Sequence, residues 1–278
     1  MTLASSWSRP DRVYGGYVFD LDGTLYVGED PLPGAAKTVA LLRDAGARLL
    51  FVTNNPLHLP ADYVRKLRRL GFKVADGEVL SSTDVLIAYL LTHHAGARLF
   101  AIAEPLVIQL LVTSGFRMTA DPDQTDVVVV SWDRGFHYDK LRLGFLAVRA
   151  GARIVATNPD PFCPTPEGGL PDCGAILAAL EAASGRRADA VVGKPSALMA
   201  AAAVERLGSS VEDTLVIGDR LETDVRMARS AGLASALVLT GATASAPSPS
   251  EPDGPDFVIE SVRDLVPGSP DPAASGGG

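Results

Sequence analysis

The sequence has few of the features that mark secreted, membrane or nucleic-acid-binding proteins. Its 278 residues include only two cysteines, Cys163 and Cys173, too few for a disulfide framework, which predicts reduced thiols in a cytoplasmic protein. No apolar run approaches the roughly 20 residues of a membrane span. The first residues, MTLASSWSRPDR, lack the charged and apolar regions of a signal peptide. The net charge of −8 argues against nucleic acid or an anionic membrane as the main partner, because both attract clustered Lys and Arg.

Short apolar segments dominate the rest of the chain. Most of them show no alternation of apolar and polar residues, which is typical of strands buried on both faces of a parallel sheet. Amphipathic stretches of helical length lie between them, so the pattern predicts an α/β protein with right-handed crossovers. At about 150 residues per domain, the length indicates two domains. The predicted strands are YVFDL, RLLFVTN, RLFAIA, DVVVVSW, RIVATN, DAVVG, TLVIGD, SALVLTG and DFVIE.

Polar residues follow four of these predicted strands. They are the aspartates Asp20 and Asp22, the segment 53–55 (TNN), Lys194 and Asp219. Ligands of parallel α/β sheets bind beyond the carboxyl ends of the strands, so we expect these groups to converge on one site.

The residue types at these strand ends suit phosphate chemistry. Crowded carboxylates repel one another, and a divalent cation with a preference for oxygen ligands, such as Mg²⁺, relieves that repulsion. A lysine and an Asn/Thr cluster suit a phosphate group. Asp20 could then attack phosphorus to form an aspartyl-phosphate, while Asp22, two residues on, transfers protons.

Four segments in this order resemble the motifs of haloacid dehalogenase (HAD) superfamily phosphatases. The resemblance runs from about residue 17 to about residue 265 and implies a Rossmann-like parallel-sheet core with an inserted cap domain. The four segments are DLDGT at Asp20–Thr24, VTNN at Val52–Asn55, VGKP at Val192–Pro195 and GDRLETD at Gly218–Asp224.

The resemblance assigns a role to each motif residue. Asp20 is implied as the nucleophile and a metal ligand, and Asp22 as the general acid/base with its main-chain carbonyl on the metal. Asp219 is implied as the further Mg²⁺ ligand, with Asp224 supporting the waters of the metal. The implied phosphate-binding residues are Thr53, Asn54, Asn55 and Lys194, of which Lys194 is also catalytic.

Motif spacing predicts where the cap is inserted. Only 33 positions separate Asp20 from Thr53, whereas 141 separate Thr53 from Lys194. The cap is therefore expected in the second interval, as in the C2-capped class IIA group that includes NagD-like and AraL-like phosphatases. The predicted organisation is a core in residues 1–80, an α/β cap in 81–185, the rest of the core in 186–266 and a disordered tail in 267–278.

The cap is expected to choose the substrate, for which Asp133, Arg134 and Asn158 are the candidate contacts. A sugar phosphate or similar small phosphomonoester is the first hypothesis. Nucleotides, phosphoglycolate and glycerol phosphate remain alternatives, and a catalytically silent small-ligand-binding protein is an alternative of another class. Caps of this type often dimerise, so a homodimer through the cap is left open.

Overall fold

The computed structural model describes residues 7–164, 168–248 and 253–266, so the predicted tail at 267–278 lies outside the described residues. The chain divides into two compact units. Within the described residues, the first unit comprises 7–52, Ala61–Val79 and 200–266. The second comprises Thr53–Pro60 and Leu80–Met199.

Strands and helices alternate along the chain, as the sequence predicts. The strands are β1 Gly16–Asp20, β2 Tyr26–Val27, β3 Asp30–Pro31, β4 Arg48–Thr53, β5 Val79–Ser81, β6 Arg98–Ile102, β7 Arg117–Met118, β8 Val127–Val130, β9 Arg153–Ala156, β10 Phe162–Cys163, β11 Leu170–Pro171, β12 Ala190–Val191, β13 Thr214–Gly218, β14 Ala234–Val238 and β15 Phe257–Ile259. The α-helices are α1 Ala35–Asp44, α2 Pro60–Arg69, α3 Ser82–His93, α4 Pro105–Thr113, α5 Tyr138–Ala150, α6 Cys173–Ser184, α7 Ala197–Leu207 and α8 Arg226–Ser230. Among the described residues, no helix is both long and apolar enough to cross a membrane.

The first unit is built on a six-stranded sheet in the order β15-β14-β13-β1-β4-β5. Strand β1 lies between β13 and β4 and is parallel to both. Its side chains Tyr17 and Phe19 are fully buried, and Phe19 stacks on Phe51 of β4. Burial on both faces explains why these strands read as continuous apolar runs, and it confirms the predicted α/β class.

The second unit has its own parallel sheet of five strands, in the order β12-β9-β8-β6-β7. The four valines of β8 are fully buried at its centre. Helices α5 and α6 pack on this sheet through residues such as Ala147 and Leu180. A second α/β layer of this kind has the content that was predicted for a cap.

The structure departs from the sequence prediction at two places. The predicted cap ended at residue 185, but β12, at Ala190–Val191, pairs with β9 of the five-stranded sheet. The helix expected at 222–231 begins instead with a π-helical turn at Leu221–Val225, and α8 follows it. The first difference arises because β12 has only two paired residues, so the sequence does not show to which sheet it belongs. The second difference affects the candidate site.

Candidate active site

Three carboxylates of the first unit form a cluster at the ends of neighbouring strands. Asp20 is the last residue of β1, and Asp219 directly follows β13. The two strands are parallel with Phe19 opposite Ile217, which aligns their carboxyl ends. One oxygen from each of Asp20, Asp219 and Asp224 lies within 4.8 Å of the others. The structure thus brings together the three acidic side chains that the sequence predicted around the metal.

The loop that follows β14 holds Asp219 in place. The main-chain N–H of Ala242 donates to Asp219 Oδ2 at 2.6 Å, and the N–H of Thr243 donates to the Asp219 carbonyl at 3.1 Å. A Cβ on Gly241 would overlap the Asp219 carboxylate. Since Asp219 is buried, these contacts fix which way its carboxylate faces.

The π-helical turn brings Asp224 into the cluster. The N–H groups of Asp224 and Val225 both bond to the Arg220 carbonyl, at 3.2 and 3.3 Å, and the second of these bonds widens the turn to five residues. Such widened turns are frequent at functional sites. Asp224 is buried, and its carboxylate packs so closely on Gly218 that no other side chain fits there.

We predict that Gly218→Ala displaces the Asp224 carboxylate and weakens metal binding by about tenfold, the cost typical of a disturbed outer shell. The reason is steric, since a Cβ at residue 218 would overlap the carboxylate. Mg²⁺ titration calorimetry is the measurement. Gly135→Ala is the matched control, because a Cβ there meets its neighbours only at 3.4 Å or beyond. Unchanged Mg²⁺ affinity in Gly218→Ala would contradict the placement of Asp224 at the metal.

The composition of this cluster suits a hard divalent cation. Mg²⁺ prefers oxygen ligands and is usually held by one or two carboxylates with several waters. Three carboxylate oxygens this close together, two of them on buried residues, would repel strongly without a cation. The residues present therefore fit the predicted Mg²⁺, which Asp20 and Asp219 would hold with support from Asp224.

A tight turn directly follows the two aspartates of the first motif. Gly23 has a φ of +84° and donates its N–H to the Tyr26 carbonyl at 2.8 Å. Its own carbonyl accepts from Thr240 Oγ1 at 2.6 Å. A left-handed glycine at this point allows the chain to reverse. Among the described residues, the three-carboxylate cluster contains Asp20 and not Asp22.

The environment of Asp22 suits a group that transfers protons. Asp22 is exposed as a residue, yet the protein atoms around its carboxyl group reduce its hydration, and this desolvation raises the pKa. The positive charges of Lys66 and Arg220 and a hydrogen bond from the Gly28 main chain oppose the rise but do not cancel it. A carboxyl group with a raised pKa holds its proton nearer to neutral pH, as a general acid must.

In the second unit, the phosphate-motif residues form a separate hydrogen-bonded cluster. Thr53 Oγ1 accepts from the Asn55 N–H at 3.1 Å, and this bond does not use the hydroxyl hydrogen. The side chain of Asn54 bonds to the main chain of Lys194 on both sides of that residue. Thr53, Asn54 and Lys194 are all buried. The phosphate-binding roles of these residues stay predictions.

Two of the three candidate substrate contacts are engaged in ion pairs within the cap. Asp133 is buried and accepts from Lys140 Nζ at 2.5 Å and from the Gly135 N–H at 3.0 Å. Arg134 is exposed and forms an ion pair with Glu104 at 2.8 Å, which lowers the pKa of that glutamate. The predicted substrate contacts by Asp133 and Arg134 therefore compete with existing partners, and they stay predictions.

The third candidate, Asn158, is fully buried, and its side-chain amide donates to the Asn54 carbonyl at 3.3 Å. It thus lies beside the phosphate motif, as expected for the end of β9. Cys173 lies beside this cluster, because its thiol donates to the Val130 carbonyl at 3.4 Å and also bonds to the backbone of Asn158. Burial raises the pKa of the Cys173 thiol to about 12, which keeps it protonated and makes it a poor nucleophile.

Sequence reasoning missed the segment Thr240–Ala242, and it did not connect Asp160, which follows Asn158 at a predicted strand end, with Asn54. The segment Thr240–Ala242 fixes Gly23 and Asp219 through the contacts described above. Asp160 accepts a hydrogen bond from the Asn54 side chain at 2.8 Å. The signal that could have found Thr240–Ala242 is its place directly after a strand, which is shared by the motif residues.

The fold and the acidic cluster define a class of protein: hydrolases that use a strand-end aspartate on a parallel sheet. Comparisons with known proteins agree. Residues 17–117 match a family described as haloacid dehalogenase-like hydrolase, and residues 191–265 match a HAD-hydrolase-like family.

Individual relatives cover nearly the whole chain. The sugar-phosphatase AraL of Bacillus subtilis is 32% identical over 90% of this chain and 92% of its own length. The structure of a 4-nitrophenylphosphatase from Thermotoga maritima has a TM-score of 0.83 and 34% identity, covering 91% of this chain and 96% of that one. A glycerol phosphate phosphatase from Mycobacterium tuberculosis, solved in complex with magnesium, has a TM-score of 0.81 and 33% identity, covering 91% and 76%.

The chain belongs to the haloacid dehalogenase-like hydrolase family. The relatives named here, which cover 90% or more of this chain, are phosphatases, so this protein is a HAD-type phosphatase, and the predicted resemblance is confirmed.

Proposed function

We propose that this phosphatase hydrolyses small sugar phosphates or similar phosphomonoesters with Mg²⁺ as its cofactor. The observation that carries the proposal is the cluster of Asp20, Asp219 and Asp224 beside the separately oriented Asp22. One carboxylate in the cluster is available to attack, and Asp22 has the raised pKa that a proton donor needs. Bound Mg²⁺ would neutralise charge on the nucleophile and on the phosphate.

The proposed reaction has two steps, and the same two aspartates act in both. In the first, an Asp20 oxygen bonds to phosphorus, the bond to the substrate oxygen breaks, and Asp22 gives its proton to that leaving oxygen. In the second, Asp22 takes a proton from water, the water oxygen bonds to phosphorus, and inorganic phosphate leaves Asp20. Asp20 is thereby restored as a carboxylate and Asp22 as an acid.

The remaining motif residues are proposed to hold the phosphoryl group. Their positions in the motifs imply hydrogen bonds from Thr53, the Asn54–Asn55 segment and the Lys194 ammonium. The α/β segment predicted at 81–185, whose strands form most of the five-stranded sheet of the second unit, is proposed to be the C2-type cap that selects the substrate. The cytoplasmic location and the homodimer stay predictions.

Similarity to the sugar-phosphatase AraL supports a sugar phosphate as the substrate. Similarity to the glycerol phosphate phosphatase supports the alternative of a smaller polyol phosphate. Both are small phosphomonoesters, and a substrate panel separates them.

The test is phosphate release from a panel of phosphomonoesters with purified protein. The panel should contain sugar phosphates, glycerol phosphate, phosphoglycolate, nucleotides and p-nitrophenyl phosphate. We expect EDTA to remove at least 90% of the activity, on the order of one decade, and added Mg²⁺ to restore it. The highest kcat/KM should fall on a sugar phosphate. A maximum on nucleotides would overturn the substrate assignment, and no turnover of any member would favour the silent-binder alternative.

A further inference from the structure

The side chain of Asn54 has no N–H left with which to bind a substrate. Its Nδ2 group donates one hydrogen to Asp160 Oδ2 at 2.8 Å and the other to the Lys194 carbonyl at 3.0 Å. Its Oδ1 accepts from the Lys194 N–H at 2.8 Å. A primary amide has two N–H donors, and both are taken. A direct contact between Asn54 and phosphate is therefore left to its main-chain N–H.

Two of these three bonds bind the peptide groups on both sides of Lys194. One amide side chain binds the N–H and the carbonyl of the same residue, so it fixes the backbone from which the lysine side chain extends. All of these atoms belong to the second unit. Asn54 and Lys194 are both more than nine-tenths buried, where each bond is protected from competing water.

Asp160 determines which way the Asn54 amide faces. If the amide were turned over, Oδ1 would face the Asp160 carboxylate and the Lys194 carbonyl, and Nδ2 would face the Lys194 N–H. Each of these three contacts would pair like with like, so the Asp160 carboxylate selects the observed orientation together with the Lys194 carbonyl and N–H.

Close packing at Gly193 supports the same arrangement. A Cβ at this residue would overlap both the Thr157 carbonyl and the Asn54 amide. The Gly193 N–H donates to the Thr157 carbonyl at 2.7 Å, so the turn that carries Lys194 is bound on this side as well. The backbone at Lys194 is thus held from two directions.

We propose that Asn54 is a positioning residue for Lys194, and that Asp160 positions Asn54 in turn. This inference rests on the proposed function, in which the Lys194 ammonium stabilises the transferring phosphoryl group. Asn54 acts on the reaction through Lys194, and its side chain does not touch the substrate.

A double-mutant cycle on kcat/KM for p-nitrophenyl phosphate tests the proposal. We expect Lys194→Met to lower kcat/KM at least about 100-fold and Asn54→Ala about 10- to 100-fold. In the Lys194→Met background, Asn54→Ala should cost less than about threefold, because the group that it positions is gone. If the two losses in kcat/KM multiply in the double variant, Asn54 and Lys194 act independently and the proposal is overturned. If Lys194→Met has no measurable turnover, the same cycle is measured as the affinity for inorganic phosphate in the presence of Mg²⁺.

An exchange of polarity gives a second test that does not depend on Lys194 variants. Asn54→Asp keeps the size and the acceptor but faces a second carboxylate at Asp160, so we expect activity to fall by at least about 100-fold. Adding Asp160→Asn restores a donor–acceptor pair and should recover about tenfold of that loss. No recovery in a folded double variant would contradict the role of Asp160.

Two controls separate the proposed role from loss of folding and from the removal of any side-chain amide. Each variant is compared by thermal unfolding, and Gln124→Ala removes an exposed amide of the second unit whose side chain bonds to Asp121 and Arg98. This control should keep wild-type kcat/KM. If the wild-type protein has no turnover, the proposed function is contradicted. If it has turnover and the losses in kcat/KM of the two single variants multiply, only the positioning role of Asn54 is contradicted.

Discussion

Asp20→Asn is expected to lower kcat/KM for p-nitrophenyl phosphate by at least about 1,000-fold, which corresponds to about 4 kcal/mol of transition-state stabilisation. The amide is a much weaker nucleophile than the carboxylate, so the aspartyl-phosphate cannot form at a useful rate. The substitution also removes one negative charge from the cluster with Asp219 and Asp224. Initial rates in saturating Mg²⁺ are the first measurement. Acid quenching followed by detection of phosphate bound to protein is the second.

Asp44→Asn is the matched control for this experiment. Asp44 is an exposed aspartate at the end of α1 in the same unit, and the change removes the same charge from the protein. The control should keep wild-type activity. Full activity in a homogeneous, folded Asp20→Asn protein would show that another group attacks phosphorus, and the assignment of the reaction would then fail.

The core of the site could be predicted from sequence because it follows a simple geometric rule. Asp20 and Asp219 each end a strand whose residues are apolar on both faces, and parallel neighbours bring such ends together. The register of β1 and β13, which are paired over four residues, then places the two aspartates side by side. These positions depend on the sheet and need no knowledge of loop conformation.

The parts that could not be predicted depend on loops and on main-chain hydrogen bonds. Ala242 binds the Asp219 carboxylate through its backbone N–H. Every non-proline residue has such a group, so the residue type at position 242 does not predict this contact. The π-helical turn at Leu221–Val225 places Asp224 in the carboxylate cluster, and helical periodicity does not show the extra residue. Asp160 lies 106 positions from Asn54, and only the fold of the second unit joins them.

The occupied amide of Asn54 changes how the phosphate motif is understood in this chain. Three consecutive polar residues suggest three equivalent donors to phosphate. In the structure, the Asn54 side chain instead donates to the Lys194 carbonyl and to Asp160. The Asn55 side chain accepts a hydrogen bond from the Leu57 N–H at 2.9 Å. Thr53 keeps a hydroxyl hydrogen that its bond from the Asn55 N–H does not use. The motif therefore combines supports for the loop and for the lysine with a threonine hydroxyl, whose bond to phosphate stays a prediction.

Asp22→Asn should separate proton transfer from metal binding. We expect kcat to fall by about 100- to 10,000-fold, the range typical of a lost general acid/base. Mg²⁺ affinity should stay within about threefold of wild type, because Asp22 contributes no side-chain oxygen to the cluster of Asp20, Asp219 and Asp224. Rates with two substrates and Mg²⁺ titration calorimetry are the measurements.

The choice of substrate sharpens this prediction. Glycerol phosphate has an alkoxide leaving group that needs a proton, whereas nitrophenolate leaves readily without one, so the first step should suffer more with glycerol phosphate. The second step still needs a base for water. With p-nitrophenyl phosphate the variant should therefore release one equivalent of nitrophenol and then accumulate the aspartyl-phosphate.

Asp30→Asn is the control, since Asp30 is an exposed aspartate of the neighbouring hairpin strand β3. It should leave both rates and Mg²⁺ affinity unchanged. Loss of Mg²⁺ binding in Asp22→Asn would make Asp22 a metal ligand through its side chain. Equal losses with both substrates and no burst would show that Asp22 does not donate the proton. The expected pattern, a burst with intact Mg²⁺ binding, arises only if the two aspartates of the first motif have different tasks.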